Sequence, residues 1–459
     1  MQLCGLRLQK WLSLGQISAP TIQSPMRLSS LFAMAFAGLL TQSSAESIAL
    51  KKLAEGFVAP VALAPFPGSD DLVVVDQIGA AYLIGADGAR SETPFLDLRS
   101  KLVKLNGGFD ERGFLSLAFH PKFPATPKVF VYYSGPLQEG APVGWDHTAH
   151  LASFEVKGKA ADLGSEKIIL KINQPQFNHN SGKLVFGKDG LLFITMGDGG
   201  EGSDVGKGHS EGGNAQDLEK MLGKVLRINI DEGDPYSVPK DNPFVKKPGC
   251  DEIYAWGVRN PWGAIMNPDN DAELIIADVG QDRFAEVNVI KKGANYGWHI
   301  REGLQGFDAK DRRALEVEAP KVDKRGNPLV DPVLTYKNRN HPKLKAEPDA
   351  KGISITGGEV YTGKAIPSLS GKYVFGDWSQ QWAPGKGRLF VADRTGESWS
   401  MADLMVEGQP EGLIEGGYVT AFGKDLQGEI YVLTAGQPGF GGELGAVHKI
   451  VPATDTSRE

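Results

Sequence analysis

KLVFGKDGLLFITMGD, residues Lys183 to Asp198, is a β-rich run, a polar Gly-Lys-Asp-Gly turn, and a second β-rich run that stops at Gly-Asp. Glycine and aspartate punctuate two short apolar strands, so the stretch reads as one antiparallel hairpin. The same plan recurs on both sides. Upstream lie DLVVVDQIGAAYLIGADG from Asp71 and FLSLAFHPKFPATPKVFVYYS from Phe114, the latter followed by HLASFEV from His150. Downstream come WGAIMNPDNDAELIIADVG from Trp262, a fifth set between Gly357 and Asp393, and VTAFGKDLQGEIYVLTAG from Val419, closed by GAVHKIV.

Six such units, at a spacing of roughly 40 to 60 residues, predict an all-β fold: a six-bladed β-propeller of four-stranded antiparallel blades. One small sheet cannot bury both faces alone, whereas ringed sheets cover one another and leave short edges. A strand near Ile48 to Leu53 is expected to pair with GAVHKIV and close the ring. An irregular β-sandwich is the alternative that the pattern allows. The inserts Gly199 to Gly223 and His299 to Lys351 are expected as loops on the propeller face, where a rigid scaffold carries function.

The beginning of the chain reads as a targeting segment. From Met26 the sequence MRLSSLFAMAFAGLLTQSSAES places one arginine before the apolar run Leu31 to Leu40, with Ser43, Ser44 and Ala45 after it. That order matches a secretory signal cut after Ala45, and the run is too short for a permanent span. The expected organisation is a leader over 1–45 with its start at Met26, one propeller over 46–453, and a tail over 454–459. A periplasmic or secreted protein follows, with no membrane span in the mature chain. Losing Arg7, Lys10 and Arg27 and no acids changes the net charge from −7 to (49 − 3) − 56 = −10. Nucleic acid is therefore a poor partner. Cys4 leaves with the leader and Cys250 stays alone, so the mature chain makes no internal disulfide. No CxxCH occurs, so a redox site here needs a separate electron acceptor.

The chemistry begins at FNHNSGKLVFGKDGLLFITMGDGG, Phe177 to Gly200. His179 stands in a polar turn just before a strand, and Asp198 ends the next one at the same end. A carboxylate that fixes the tautomer of a histidine makes a general base, although many such pairs are structural. EIYAWGVRNPWG adds Arg259 and Asn260 in a tight turn, and a planar guanidinium suits carboxylate or quinone oxygens. ADVGQDRFAEVN brings Gly280 and Gln281 with exposed carbonyls and Glu286 nearby, oxygen ligands of the kind calcium takes. NAQDLEKMLGKVLRINI reads as a short amphipathic segment packed under the propeller.

NHNSGKLVFGKDG, MGDGG, NAQDLEKMLGKVLRINID, DNPF, IYAWGVRNPWG, ADVGQDRFAEVN, GANYGW and YVFGDW, with ERGFLSLAFHPKF before them, resemble the glucose/sorbosone dehydrogenase family in content and order. The resemblance implies a six-bladed propeller using pyrroloquinoline quinone and calcium to oxidise an aldose-type sugar at its anomeric carbon. It makes His179 the base and Asp198 its orienting acid, and it makes Arg259 and Asn260 cofactor contacts. It puts Glu111 where the glucose enzymes carry a glutamine beside the site. The carbonyls of Gly280 and Gln281 would hold the cofactor's calcium, and Glu286 with the Tyr296 carbonyl a second, structural calcium. Two features depart from those enzymes: Thr362 follows Tyr361 where they have a lysine, and no arginine pair stands around Tyr418 and Val419. Lys364, Arg388 and Lys207 are the candidate replacement cations. Two rival readings are a non-catalytic, calcium-containing propeller that binds a carbohydrate or protein ligand, and a calcium-dependent lactonase. The lactonase would need a carboxylate cluster that these motifs do not supply.

Overall fold

In the computed structural model, which describes residues 46–454, six antiparallel sheets follow one another along the chain. The innermost strands are Pro60–Pro65, Phe114–Phe119, Leu184–Phe186, Pro261–Met266, Ile355–Val360 and Tyr418–Lys424. Each starts a four-stranded sheet, with short extra strands on the outer edges of some. The second strands of five blades, such as Leu72–Asp76, Leu192–Met196 and Leu274–Asp278, are buried at every residue. A strand covered on both faces reads as an unbroken apolar run, which is why VVV and LII stand where alternation would mark a half-exposed sheet.

The core is not one mass but six slabs between neighbouring blades. Val73 and Val75 of the first blade pack with Phe114, Val129 and Val131 of the second. Tyr132 and Leu151 pack with Leu192 and Leu226 across the next interface. The series continues through Phe193 with Ile276, Ile275 with Phe375, and Val374 with Val432. It returns to the start with Leu433 against Val74. The expected closure is present: Ser47–Phe57 pairs antiparallel with Gly445–Pro452, from Ile48↔Pro452 to Phe57↔Gly445. The sandwich alternative is thereby set aside.

His448 on the closing strand is the acid-sensitive point of this clasp. Burial pushes its imidazole down from 6.5 to about 4, and its Nε2 lies 3.1 Å from Thr434 Oγ1. Between those two values the unfolded chain takes up a proton that the folded chain refuses. The stability it contributes is complete above pH 6.5 and is lost as pH falls towards 4, by up to about 3 kcal/mol. Urea midpoints measured at pH 7 and 4.5 should differ less in His448→Gln than in the parent. An unchanged difference would remove His448 from the account.

Aspartates at the ends of three second strands tie the blades at the upper end of the channel. Asp76 accepts the N–H groups of Val58 and Ala59 at 2.8 and 2.9 Å. Asp278 accepts those of Arg259 and Asn260 at 2.9 and 2.7 Å, and Asp377 those of Ile353 and Ser354 at 3.0 Å. Each satisfies the two donors that lead into the innermost strand of its own blade. Below them, the Lys183 ammonium crosses the channel to the carbonyls of Val61 and Leu115 at 2.9 and 3.2 Å, with the Trp262 ring 5.2 Å away. Burial pushes this amine down to about 7.

One expectation about loops needs correction. The segment His299 to Lys351 is not all loop: Leu334–Asn338 inside it is the outer strand of the fourth blade, paired with Phe284–Ile290. The segment from Asn214 opens with a 3-10 turn, Asn214–Gln216, and ends in Lys224–Ile228, the third strand of the third blade. Its apolar residues Leu218 and Leu222 do pack under the second and third blades, as expected. The leader over 1–45 and the tail beyond Thr454 lie outside the described residues. No described helix is long and apolar enough to cross a membrane.

Candidate functional site

The third blade breaks the aspartate pattern, and the site grows from that break. Its second strand ends at Met196, and the carboxylate comes two residues later, at Asp198. There it takes the His179 side chain instead of backbone N–H groups of the entering strand: Asp198 Oδ1 lies 2.6 Å from His179 Nδ1. The other oxygen accepts the indole N–H of Trp298 at 2.7 Å, and Oδ1 also accepts the Gly200 N–H at 3.1 Å. Asn214 Nδ2 holds the Asp198 carbonyl at 2.9 Å. The short Asn-Ala-Gln turn thus does more than fill space; its asparagine pins the loop that carries the acid.

His179 has a left-handed backbone, φ 57, a conformation uncommon outside glycine. Gly197 packs against it so closely that an added Cβ would lie 1.9 Å from the His179 carbonyl oxygen. Glu111, reaching in from the second blade's entry, accepts the His179 N–H at 2.7 Å and the Asn260 side-chain amide at 3.0 Å. Asn260 in turn accepts the Ser181 hydroxyl at 2.9 Å. Three blades therefore converge on the turn that carries His179.

The hydrogen bonds fix its tautomer. Arg259 Nη2 stands 2.9 Å from His179 Nε2, and a guanidinium only donates. Nε2 therefore presents a lone pair, and Nδ1 carries the proton that goes to Asp198. Arg259 also donates to the Val279 carbonyl at 2.9 Å and lies 5.5 Å over the Trp298 ring. Its Nε, buried, has no partner among the described residues.

These groups line a cavity of about 240 Å³ at the upper mouth of the channel. Of the residues singled out in the sequence, Glu111, His179, Arg259, Asn260, Gly280 and Gln281 all line it, with Asp198 directly behind. Gln281 Oε1 accepts the Ser203 N–H at 2.8 Å and so joins the Gly199–Gly213 loop to the wall. Glu286 and Tyr296 do not line it. The Glu286 carboxylate accepts the Gly303 N–H and the Asn288 amide, and burial together with neighbouring Asp278 pushes it up to about 7. The Tyr296 hydroxyl accepts the Lys291 N–H and donates to the Val289 carbonyl.

The replacement cations are elsewhere. Thr362 belongs to the opposite mouth with Glu359 and Lys424, and the Tyr361 hydroxyl and Lys364 N–H both go to Glu429. Arg388 is paired with Asp403 at 2.8 Å, and Lys207 Nζ donates to the Gly144 carbonyl. Among the described residues, Arg259 is the only lysine or arginine lining the cavity, beside the acids Asp110 and Glu111. Asp110 is already neutralised by Arg112 at 2.6 Å.

One wall was not foreseen. Tyr418, Trp378, Trp382 and Phe109 form a run of aromatic rings with centroid steps of 4.5, 5.4 and 5.8 Å. It rises from the buried Tyr418 to the exposed Trp382 and Phe109 at the rim.

A six-bladed propeller with a histidine–aspartate pair at the channel mouth defines the class of protein. A family model described as Glucose / Sorbosone dehydrogenase matches residues 57–383, and the chain belongs to that family. It is 29% identical to the HIPL1 protein of Arabidopsis thaliana, over 84% of this chain and 62% of that protein. It is 27% identical to the Hedgehog-interacting protein of Homo sapiens, over 88% of this chain and 52% of that one. The chain thus spans a little over half the length of these relatives. A solved structure of the aldose sugar dehydrogenase of Streptomyces coelicolor in its pyrroloquinoline quinone-bound form superposes with a TM-score of 0.59 at 19% identity, covering 88% of this chain and 98% of that one. At that identity the likeness speaks for the fold.

Proposed function

We propose that this chain is an exported dehydrogenase that oxidises an aldose-type sugar at its anomeric carbon, with pyrroloquinoline quinone and calcium as cofactors and a separate electron acceptor. The observation that carries the reading is the imidazole of His179 on the cavity wall, its Nε2 lone pair held by Arg259 and its tautomer fixed by Asp198. The leader pattern from Met26 supports export.

The cofactor's requirements can be compared with the walls. Arg259 Nε and Gln437 Nε2, both lining the cavity, are buried donors without partners among the described residues, and they suit an oxygen-rich ligand. The aromatic wall suits a planar ring. The carbonyls of Gly280 and Gln281 accept no hydrogen bond from a described residue, which leaves them available to a hard cation. No three His, Cys, Asp or Glu side chains converge as a metal cluster among the described residues. Calcium beside the cavity would therefore rely on carbonyl oxygens, and the second calcium proposed at Glu286 and the Tyr296 carbonyl would have one carboxylate. When bound, the quinone would supply the hydride acceptor and calcium would polarise it.

The chain's own residues do the rest. His179 Nε2 takes the proton of the anomeric hydroxyl, and Asp198 stabilises the imidazolium that forms. For that hydroxyl to reach Nε2, the Arg259 guanidinium must turn from the histidine onto an oxygen of the incoming ligand. Asn260 and Glu111 keep the histidine's backbone in place meanwhile.

One guanidinium is poor compensation for the three carboxylates of this cofactor. Absorbance titration of the purified mature chain with calcium is expected to show saturable but only micromolar binding, followed by reduction when an aldose is added. If high micromolar cofactor produces no spectral change, the dehydrogenase reading is lost. The second reading, a non-catalytic propeller binding a carbohydrate or protein ligand, is favoured by the same shortage of cations. The name of the Hedgehog-interacting protein points the same way. It would stand if sugar binds and the quinone does not.

A further inference from the structure

The opposite mouth leads into a second, larger cavity of about 810 Å³, none of which the proposed chemistry uses. Val61, Trp262 and Thr356 line both cavities and so form the partition between them. Lys183 lies on the lower side of that partition, lining the larger cavity and not the upper one.

Two lysines of the third blade are buried, and burial pushes both amines down to about 7. Their surroundings differ. Lys224 is fully covered and lines neither cavity. Its Nζ donates to the carbonyls of Asn214, Ala215 and Leu222 at 2.7, 3.2 and 2.7 Å, which uses all three hydrogens of an ammonium. Lys183 is 8% exposed and has two acceptors, the carbonyls of Val61 and Leu115. Two hydrogens satisfy them, so a free amine fits this position and keeps its lone pair for the remaining direction. The Trp262 face, 5.2 Å from Nζ, favours the cation, and burial without a counter-ion opposes it.

Among the described residues no carboxylate pairs with Lys183, and burial is the one cause of its shift. The other charged side chains along the cavity are paired: Glu359 with Lys424 at 3.1 Å, Asp425 with Lys449 at 3.1 Å, and His120 with Asp231 at 2.9 Å. Glu359 Oε2 lies out of line for a hydrogen bond with Lys424 and takes no other from a described residue, which leaves an acceptor for a hydroxyl. At pH 7 about half of an amine so shifted is unprotonated, against fewer than about one in 10³ of an ordinary lysine. A neutral primary amine at the closed end of a cavity is a nucleophile towards carbonyl carbon.

We propose that Lys183 is a covalent carbonyl-binding site, and that the lower cavity admits a short hydroxyaldehyde which condenses with its amine to an imine. The nitrogen lone pair adds to the aldehyde carbon, the C–N bond forms, and the carbonyl oxygen leaves as water with the two amine hydrogens. No oxidant or reductant takes part. Protonation of the imine keeps one N–H for the two carbonyls, and Glu359 accepts a hydroxyl of the ligand. The site stands apart from the reading of the upper cavity.

Treating the mature chain at pH 7 with glycolaldehyde and cyanoborohydride, which reduces an imine to a stable amine, tests it by peptide mass spectrometry. Lys183 should be labelled at least about tenfold faster than exposed lysines such as Lys51, and Lys224 should stay unlabelled. An aldehyde-bearing dextran, too large for the cavity, should label the exposed lysines and spare Lys183. In Lys183→Arg the fast adduct should vanish; should that variant not fold, the distribution of label in the parent still decides. Labelling of Lys183 no faster than Lys51 would overturn the proposal. So would equal labelling of Lys224, which would trace the reactivity to burial without the cavity, or equal labelling of Lys183 by the dextran, which would place the reaction in the unfolded chain.

Discussion

Replacing His179 with alanine should lower sugar-dependent turnover by about 10²- to 10⁴-fold while saccharide affinity stays within a few-fold of the parent. The imidazole is the one group in the cavity whose lone pair is defined by its neighbours, Asp198 at Nδ1 and Arg259 at Nε2. Removing it takes away the proton acceptor but leaves the aromatic wall and Asn260 to bind. Asp198→Asn is the sharper companion. An asparagine amide turned towards Nδ1 would place the imidazole proton on Nε2, where it meets the Arg259 donor. That variant should fold, bind and lose activity by a factor between the parent and His179→Ala. Rapid-mixing measurement of cofactor reduction separates the steps: the bound amplitude should persist and the rate should collapse. A His179→Ala protein that reduces the cofactor at the parent rate would dismiss the histidine as base.

The largest expected effect on stability belongs to Glu302. Its carboxylate is buried and accepts the N–H groups of Asp282, Arg283 and Phe284 at 3.0, 2.9 and 3.2 Å, with Arg283 Nε at 2.7 Å. Arg283 is equally buried and spends its remaining donors on the carbonyls of Ala314 and Gly306. Glu302→Ala strands that guanidinium and three backbone donors, which should cost about 3–5 kcal/mol. The damage would reach the site, because an added Cβ on Gly280 would lie 2.9 Å from Glu302 Oε1. The double replacement Arg283→Met with Glu302→Leu removes both charges and should recover part of the loss. Urea unfolding gives the comparison, and a cost below about 1 kcal/mol for the single variant would mean that water reaches the pair.

Most of the fold could be read because its signals are local. Each blade announces itself by two apolar runs and a glycine or aspartate turn, and the ring closure by a leftover strand at either end. The site was legible where a motif keeps its residues within one hairpin, as His179 and Asp198 do, or at the entry to an innermost strand, as Arg259 and Asn260 are. Trp298 was missed as the second partner of Asp198 although it ends the quoted GANYGW; a donor 100 positions away has no sequence signal linking it to an acid. The aromatic wall was missed for the same reason, since Phe109 and Trp382 come from opposite parts of the chain and meet only in the ring. Among the replacement cations, Lys364 failed on direction. An innermost strand runs from one mouth to the other, so Thr362 and Lys364, a few residues beyond Ile355, have already left the upper mouth. Position along a strand decides the end of the channel, and composition carries no record of it.

Ile48 and Pro452 are neighbours across one ladder although nearly the whole chain lies between them. The two ends of the fold could therefore be spliced and new ones opened in another blade, for instance at the exposed turn around Val143 between the second and third strands of the second blade. A circularly permuted chain of that kind would keep every slab of the core and shift the clasp two blades onward. It would also carry His448 away from the seam, so the acid-sensitive point and the point of closure would become separable properties of the same ring.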